Sequence, residues 1–176
     1  KQKTAYEIPK RDWSSDVCSS DLGWLYSFEP ATGKLLWKFN CKAHEKSAAS
    51  GEPETTFNLA AAAVFVDGRV YVAIGEPEAG SGPGALRCLD PRQRGDITKT
   101  AEVWRLGGTD FNDSISTVAV HDGLLYACDT AGFVYCIDAA NGKRAWMHDL
   151  KVNIWGSPLV ADGRSEEHTS ELQSRF

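Results

Sequence analysis

The chain has 176 residues, 42% of them hydrophobic, and a formal net charge of −5 at pH 7. So mild an acidic balance argues against the basic face that nucleic-acid binding needs. No run of about eighteen apolar residues exists that would cross a membrane as a helix.

In chain order, the first 22 residues do not read as part of a fold. Residues 12–22, DWSSDVCSSDL, are the translation of one strand of a common Illumina-type library adapter. Residues 164–174, RSEEHTSELQS, are the translation of its other strand. Residues 1–8, KQKTAYEI, translate the flow-cell oligonucleotide that precedes the adapter. Pro9, Lys10 and Arg11 fill the place of a short index, and that index read in reverse returns the terminal Arg175-Phe176. Segments of this origin are set aside from fold reasoning. Residues 1–22 and 164–176 are therefore expected to be non-native tails, poorly packed or irregular. The fold is read from residues 23–163, which carry 13 basic and 17 acidic residues, a net of −4.

An internal repeat fills that stretch. A partial copy opens it, GWLYSFEPATGKLLWKF (23–39). A second runs through DGRVYVAIG (67–75), GALRCLDP (84–91) and AEVWRL (101–106). The clearest is DGLLYACDTAGFVYCIDAANGKRAWMHDL (122–150), and a fourth begins at WGSPLVADG (155–163). Asp67-Gly68, Asp122-Gly123 and Asp162-Gly163 each follow a short apolar run, and Asp-Gly tolerates the positive φ of a two-residue hairpin turn. Thr32-Gly33-Lys34 matches Asn141-Gly142-Lys143, and Trp37, Trp104 and Trp146 close three copies. In the third copy the spacing predicts strands at about 115–120, 124–128, 133–138 and 143–149. No segment sustains a 3.6-residue period, so no helix is expected. Four antiparallel strands in every 40–50 residues or so describe a β-propeller blade.

The pattern apolar-Asp-x-x-Thr/Asn-Gly-Lys-x-x-Trp resembles the repeats of the PQQ-binding-like β-propeller family, which includes BamB-like lipoproteins and quinoprotein dehydrogenases. The resemblance implies an all-β fragment: two complete four-stranded blades and parts of two others, with non-native tails at both ends. Blade one would supply its third and fourth strands and blade four its first. Both ends of such an arc should present unpaired strand edges. The resemblance also implies that Trp37, Trp104 and Trp146 dock neighbouring blades.

The loops of one blade face are where such a protein carries ligand. They are expected at Glu76–Pro83, Gly107–Ser114, Thr130–Gly132 and Lys151–Trp155. Asp110, Asn112, Asp113 and Trp155 are the rim candidates, as polar or cation contacts and a stacking surface; the bland alternative is turn formation and packing. Cys41-x-x-His44 in the loop 40–58 is half a metal motif with no matching partner. Gly75–Gly84 reads as a hairpin loop, because no helix and no Lys-Ser/Thr pair follow it. Cys88 and Cys136 share one repeat position, held by Ser27 in blade one, and are read as packed thiols. If Asp129 faces Gly132, the register puts Cys128 and Cys136 on opposite faces of their hairpin, which disfavours a disulfide between them. Neither His121 nor His148 has a nucleophile placed beside it.

No catalytic or metal-binding residue is therefore named. The first reading is an extracytoplasmic propeller, periplasmic or secreted by resemblance, that binds a protein partner or a small ligand on one face. The alternatives are a PQQ- and calcium-dependent alcohol or sugar dehydrogenase and a sensor propeller fused to a signalling kinase. The resemblance implies PQQ with calcium for the intact parent only in the enzyme case.

Overall fold

The computed structural model describes residues 16–19, 23–41, 61–75, 83–161 and 164–167, the backbone alone at 16–19, 83 and 164–167. The loop 42–60, the hairpin 76–82 and the Asp162-Gly163 turn lie outside the described residues.

Fourteen strands and no helix form among the described residues. Blade one is β1 (Asp16–Ser19), β2 (Trp24–Phe28) and β3 (Leu35–Asn40), with the short β7 (Gly95–Asp96) added parallel to β3. Blade two is β4 (Val64–Val66), β5 (Arg69–Ile74), β6 (Pro83–Leu89) and β8 (Glu102–Asn112). Blade three is β9 (Ala119–His121), β10 (Leu124–Cys128), β11 (Phe133–Asp138) and β12 (Arg144–Asp149). A final pair, β13 (Pro158–Ala161) and β14 (Arg164–Glu167), opens a fourth sheet. Apart from β7 every pairing is antiparallel between strands adjacent in the sheet.

Turn chemistry fixes the register. Asp67 and Gly68 have φ of 50° and 74°, and Asp122 and Gly123 have 48° and 75°. Positive φ at both central residues is the turn whose twist matches that of the flanking strands. Val66 then pairs with Arg69, and His121 with Leu124. Alternation does the rest. The even-numbered side of blade two (Val70, Val72, Ile74) packs on Leu25, Trp37 and Phe39 of blade one. Its odd side (Tyr71, Ala73) packs, with Leu86 and Trp104, on Leu125, Ala127, Tyr135 and Ile137 of blade three. The fully buried Arg87 links the first two blades: its guanidinium pairs with Glu102 and donates to the Cys41 carbonyl at 2.7 Å.

Several expectations need correction. The segment Gly107–Asn112 is not a loop: β8 continues through it, and Asn112 pairs with Pro83. The inner strand of blade three is only Ala119–His121, because 114–117 is held by side-chain hydrogen bonds instead of a ladder. The hairpin of blade three turns between Asp129 and Phe133, whose carbonyl accepts the Asp129 N–H at 3.0 Å. Cys128 therefore pairs with Val134 and Cys136 with Tyr126, which puts both thiols on one face, two rows apart. Diagonal neighbours are too far apart to bridge, and none of the buried Cys41, Cys88, Cys128 and Cys136 forms a disulfide. The thiols are unbridged, but for a different reason than face parity.

The tails are not wholly irregular. Residues 16–19 pair with β2 and residues 164–167 with β13, so neither of these edges stands open. Each tail strand takes the place of a second blade strand. The row Tyr71–Cys88–Trp104 of blade two recurs as Tyr126–Cys136–Trp146 in blade three and as Val17–Ser27–Trp37 in blade one. At the other end Ala161 pairs with Arg164, as Val66 does with Arg69. An edge offers unpaired N–H and C=O groups, and any extended chain satisfies them.

Candidate functional site

The loop face is built by the end of β8, the β10–β11 turn, and the segments entering the third and fourth sheets. Its centre is Asp129, fully buried at the end of β10. One carboxylate oxygen accepts from Asn112 Nδ2 at 2.8 Å and from Tyr135 Oη at 2.7 Å. The other accepts the Phe133 backbone N–H at 2.9 Å. Burial, and then the bond to Asp129, push the Tyr135 hydroxyl well above the ordinary tyrosine range. A buried carboxylate holding three donors is satisfied, and it fixes the turn to the end of the neighbouring blade.

Asp113 is fully buried beside it. Its carbonyl accepts both the backbone N–H and the hydroxyl of Thr130, at 2.8 and 3.1 Å. Its carboxylate lies against Gly75 so closely that a Cβ there would fall 1.7 Å from Oδ1. Ser114 Oγ donates to the Cys128 carbonyl at 2.6 Å.

A third set of contacts recurs from blade to blade. Ala62, Thr117 and Ser157 each stand five residues before an Asp-Gly pair. The Ala62 N–H donates to Thr117 Oγ1 at 3.2 Å, and the Thr117 N–H donates to Ser157 Oγ at 3.0 Å. Ser116 Oγ adds a bond to the Gly156 carbonyl at 2.6 Å. Successive blades are thus laced together at the entry to their inner strands.

Of the rim candidates, Asn112 and Asp113 belong to this buried framework. Asp110 is exposed on β8, and Trp155 is 66% exposed. No hydrogen bond or ring contact brings Asp110 or Trp155 to the others among the described residues. No three His, Cys, Asp or Glu side chains among the described residues converge as metal ligands. Asp129 and Asp113 do not fit a calcium-assisted quinone site: Asp129 already holds three protein donors, and Asp113 is buried against Gly75.

The three tryptophans that close the repeats differ in environment. Trp37 is 1% exposed and Trp104 9%. Trp104 Nε1 donates to the Ala139 carbonyl of blade three at 2.9 Å, and Tyr71 Oη donates to the same oxygen at 3.2 Å. Trp146, at the equivalent place in blade three, is 44% exposed.

Asp129 and Tyr135 were not anticipated from the sequence. For Asp129 the signal was a departure from the repeat, since Ile74 holds its place in blade two; Tyr135 gave none, because Tyr26 holds the same place in blade one. A charged residue where the repeat is apolar marks a position with a partner.

The sequence profile of the family described as Outer membrane protein assembly factor BamB matches residues 83–171, half of the chain. No curated sequence matches the chain. Among solved structures, BamB from Moraxella catarrhalis superposes with a TM-score of 0.60 at 18% identity, over 88% of this chain and 39% of its own. The quinohemoprotein alcohol dehydrogenase ADHIIG from Pseudomonas putida HK5 gives 0.57 at 14% identity, over 87% of this chain and 29% of its own. A europium-containing methanol dehydrogenase gives 0.58 at 18%, over 86% and 35%. The chain thus spans well under half the length of each, and likeness at these identities concerns the fold alone.

Proposed function

The chain belongs to the PQQ-like β-propeller repeat family, and from that premise we propose that it is an arc of an extracytoplasmic propeller serving as a binding or scaffolding platform. The observation that carries this reading is the use of the loop-face polar groups. Asp129 holds Asn112, Tyr135 and the Phe133 amide, and so stiffens the face instead of presenting a reactive carboxylate. Folds of this kind carry unrelated functions, so the site and not the fold supports the reading. Asp110 and Trp155 are the groups left to meet a protein partner or small ligand on that face. The family's outer-membrane description supports a periplasmic setting.

The test is titration of the full-length parent with PQQ and Ca²⁺ by calorimetry, followed by a dye-linked assay with alcohols and sugars. The platform reading expects no stoichiometric uptake and no dye reduction. Tight binding with turnover overturns it in favour of the dehydrogenase alternative, whose relatives stand among the similar structures. A kinase domain in the parent's flanking sequence would instead make this propeller the sensor of a signalling protein.

We also propose that residues 1–22 and 164–176 are translated adapter and that 23–163 is the native part. A long sequencing read across the source locus tests this. The genomic frame should leave the present sequence at Gly23 and at Gly163 and continue into further blades. A genome that encodes both tails as they stand overturns the proposal.

A further inference from the structure

We propose that Asn141 is a latent deamidation site, shut while blades two and three are joined and converted to a carboxylate when they part. Asn141-Gly142 is the only Asn-Gly pair in the sequence. Asparagine is a thermolabile residue, and a following glycine carries no Cβ to hinder attack by its own nitrogen. In that attack the Gly142 nitrogen gives up its proton and bonds to Asn141 Cγ. The Cγ–Nδ2 bond breaks, and the amide nitrogen leaves with the proton as ammonia. Water then opens the cyclic imide at either carbonyl and leaves aspartate or isoaspartate at position 141. Water is the one co-reactant, and nothing is oxidised or reduced.

The fold holds both reacting groups away from this step. Asn141 is exposed, but its side chain is tied at both ends. Nδ2 donates to Asp138 Oδ2 at 2.8 Å, and Oδ1 accepts the Lys143 N–H at 2.8 Å. The nucleophile is tied as well. The Gly142 N–H donates to the Asp138 carbonyl at 2.8 Å, and the Asp138 N–H donates to the Lys143 carbonyl at 2.9 Å. Gly142 itself is buried under Trp104, three of whose ring atoms lie 2.7–3.0 Å from where a Cβ would stand. Trp104 Nε1 anchors that ring on the Ala139 carbonyl at 2.9 Å. A base must reach the Gly142 proton, and that proton lies in a hydrogen bond beneath a ring. Opening of the joint has to come first, and the joint lies between two complete blades.

The turn of blade one supplies the comparison. Thr32 fills the place of Asn141, donating to Glu29 Oε2 at 2.6 Å and accepting the Lys34 N–H at 3.3 Å. A hydroxyl thus makes the same two contacts with no amide to lose. Conversion at position 141 has a structural consequence. The nitrogen that faces Asp138 becomes an oxygen, so two carboxylates stand where a donor met an acceptor, and like charges at hydrogen-bond distance repel. Isoaspartate also routes the main chain through Cβ. Either product weakens the turn that seats Trp104, so one opening event leaves a permanent mark and makes the next opening easier.

The test incubates the 176-residue chain in one buffer, folded and in urea, and follows position 141 by peptide mapping with mass spectrometry, isoaspartate resolved from aspartate. Reaction of a protected group follows the population of its open form, so the folded chain should deamidate more than about tenfold more slowly than the unfolded one. Trp104→Ala, folded, should deamidate faster than the parent. Thermal midpoints test the consequence: Asn141→Thr should stay near the parent, and Asn141→Asp should fall about 3 °C or more below it. Equal rates in the folded and unfolded chain, a folded Trp104→Ala that reacts at the parent's rate, or Asn141→Asp as stable as Asn141→Thr would each overturn the proposal. If Trp104→Ala does not fold, the parent's ratio of rates and the two variants at position 141 decide.

Discussion

Trp104 and Gly142 constrain each other. The turn needs a left-handed residue at 142, and the ring above it leaves no room for a side chain. Gly142→Ala should therefore lower the unfolding free energy by more than about 2 kcal/mol, whereas Gly33→Ala, with the same backbone but open space, should lose only about 1 kcal/mol. Urea unfolding of the two variants side by side measures the difference; equal losses would mean that the ring contributes nothing. Asp90 gives a second prediction. Arg92 donates to its carboxylate from Nε at 2.8 Å, and Arg69 lies 3.0 Å away. Chiefly through the Arg92 bond, the carboxyl is held down to about 2 from an ordinary 3.8. The folded state thus binds this proton less tightly than the unfolded state, so the stabilisation is complete above about pH 4 and is lost as pH falls through about 2. Arg92 is largely exposed, so solvent screens the pair and keeps the effect small. Arg92→Ala should flatten the acid limb of a stability-against-pH curve between those values and leave the curve's shape unchanged above about pH 5. At this scale the sequence was legible wherever a residue repeats. Trp104, Cys88 and the Asp-Gly turns announce themselves by recurrence. Asp129 occurs at its repeat position once, and its partner Asn112 comes from another blade, so only the fold brings the two together.

Strands β10 and β11 were legible to the residue because Asp-Gly and the Thr130–Gly132 turn bracket a period-2 pattern on both sides. Strand β8 was not. Its second half, GGTDFN, has the composition of a loop, and it pairs through backbone groups that composition does not report. Strand β7 escaped for a related reason: two residues carry no period, and its place is set by the Ile97 N–H on the Lys38 carbonyl and by Thr98 accepting from Asn40. The lacing of inner strands is a further property of elements. Thr117→Val keeps the shape and removes the acceptor for the Ala62 N–H. Loss of one such bond is worth about 1 kcal/mol, so exchange of the Ala62 amide should quicken about fivefold while amides in β6 and β11 keep their protection. Unchanged exchange at Ala62 would remove this contact from the account of how blades align.

The whole molecule is an arc whose faces and edges obey different rules. Its faces are specific, since they need Trp37, Phe39, Leu125 and their neighbours at defined alternations. Its edges are not. Arg164–Glu167, with two adjacent glutamates, continues β13 in the register that Asp162-Gly163 spacing dictates, although such residues are poor strand formers. At the other end, replacement of Val17 or Cys18 by threonine should preserve the pairing with β2. Val17→Pro and Cys18→Pro between them remove a ladder donor whichever way the N–H groups point. Hydrogen exchange at Leu25 to Ser27 should rise for one of the two proline variants and for neither threonine variant. If threonine disrupts as much as proline, side chains and not backbone hold that edge. Tolerance of this kind bears on how rings of blades gain members. A duplicated gene segment need not encode a well-adapted strand at the moment it is joined, because a tight turn and an open ladder will align almost any extended residues. Selection can then refine the new strand's side chains afterwards, one buried position at a time.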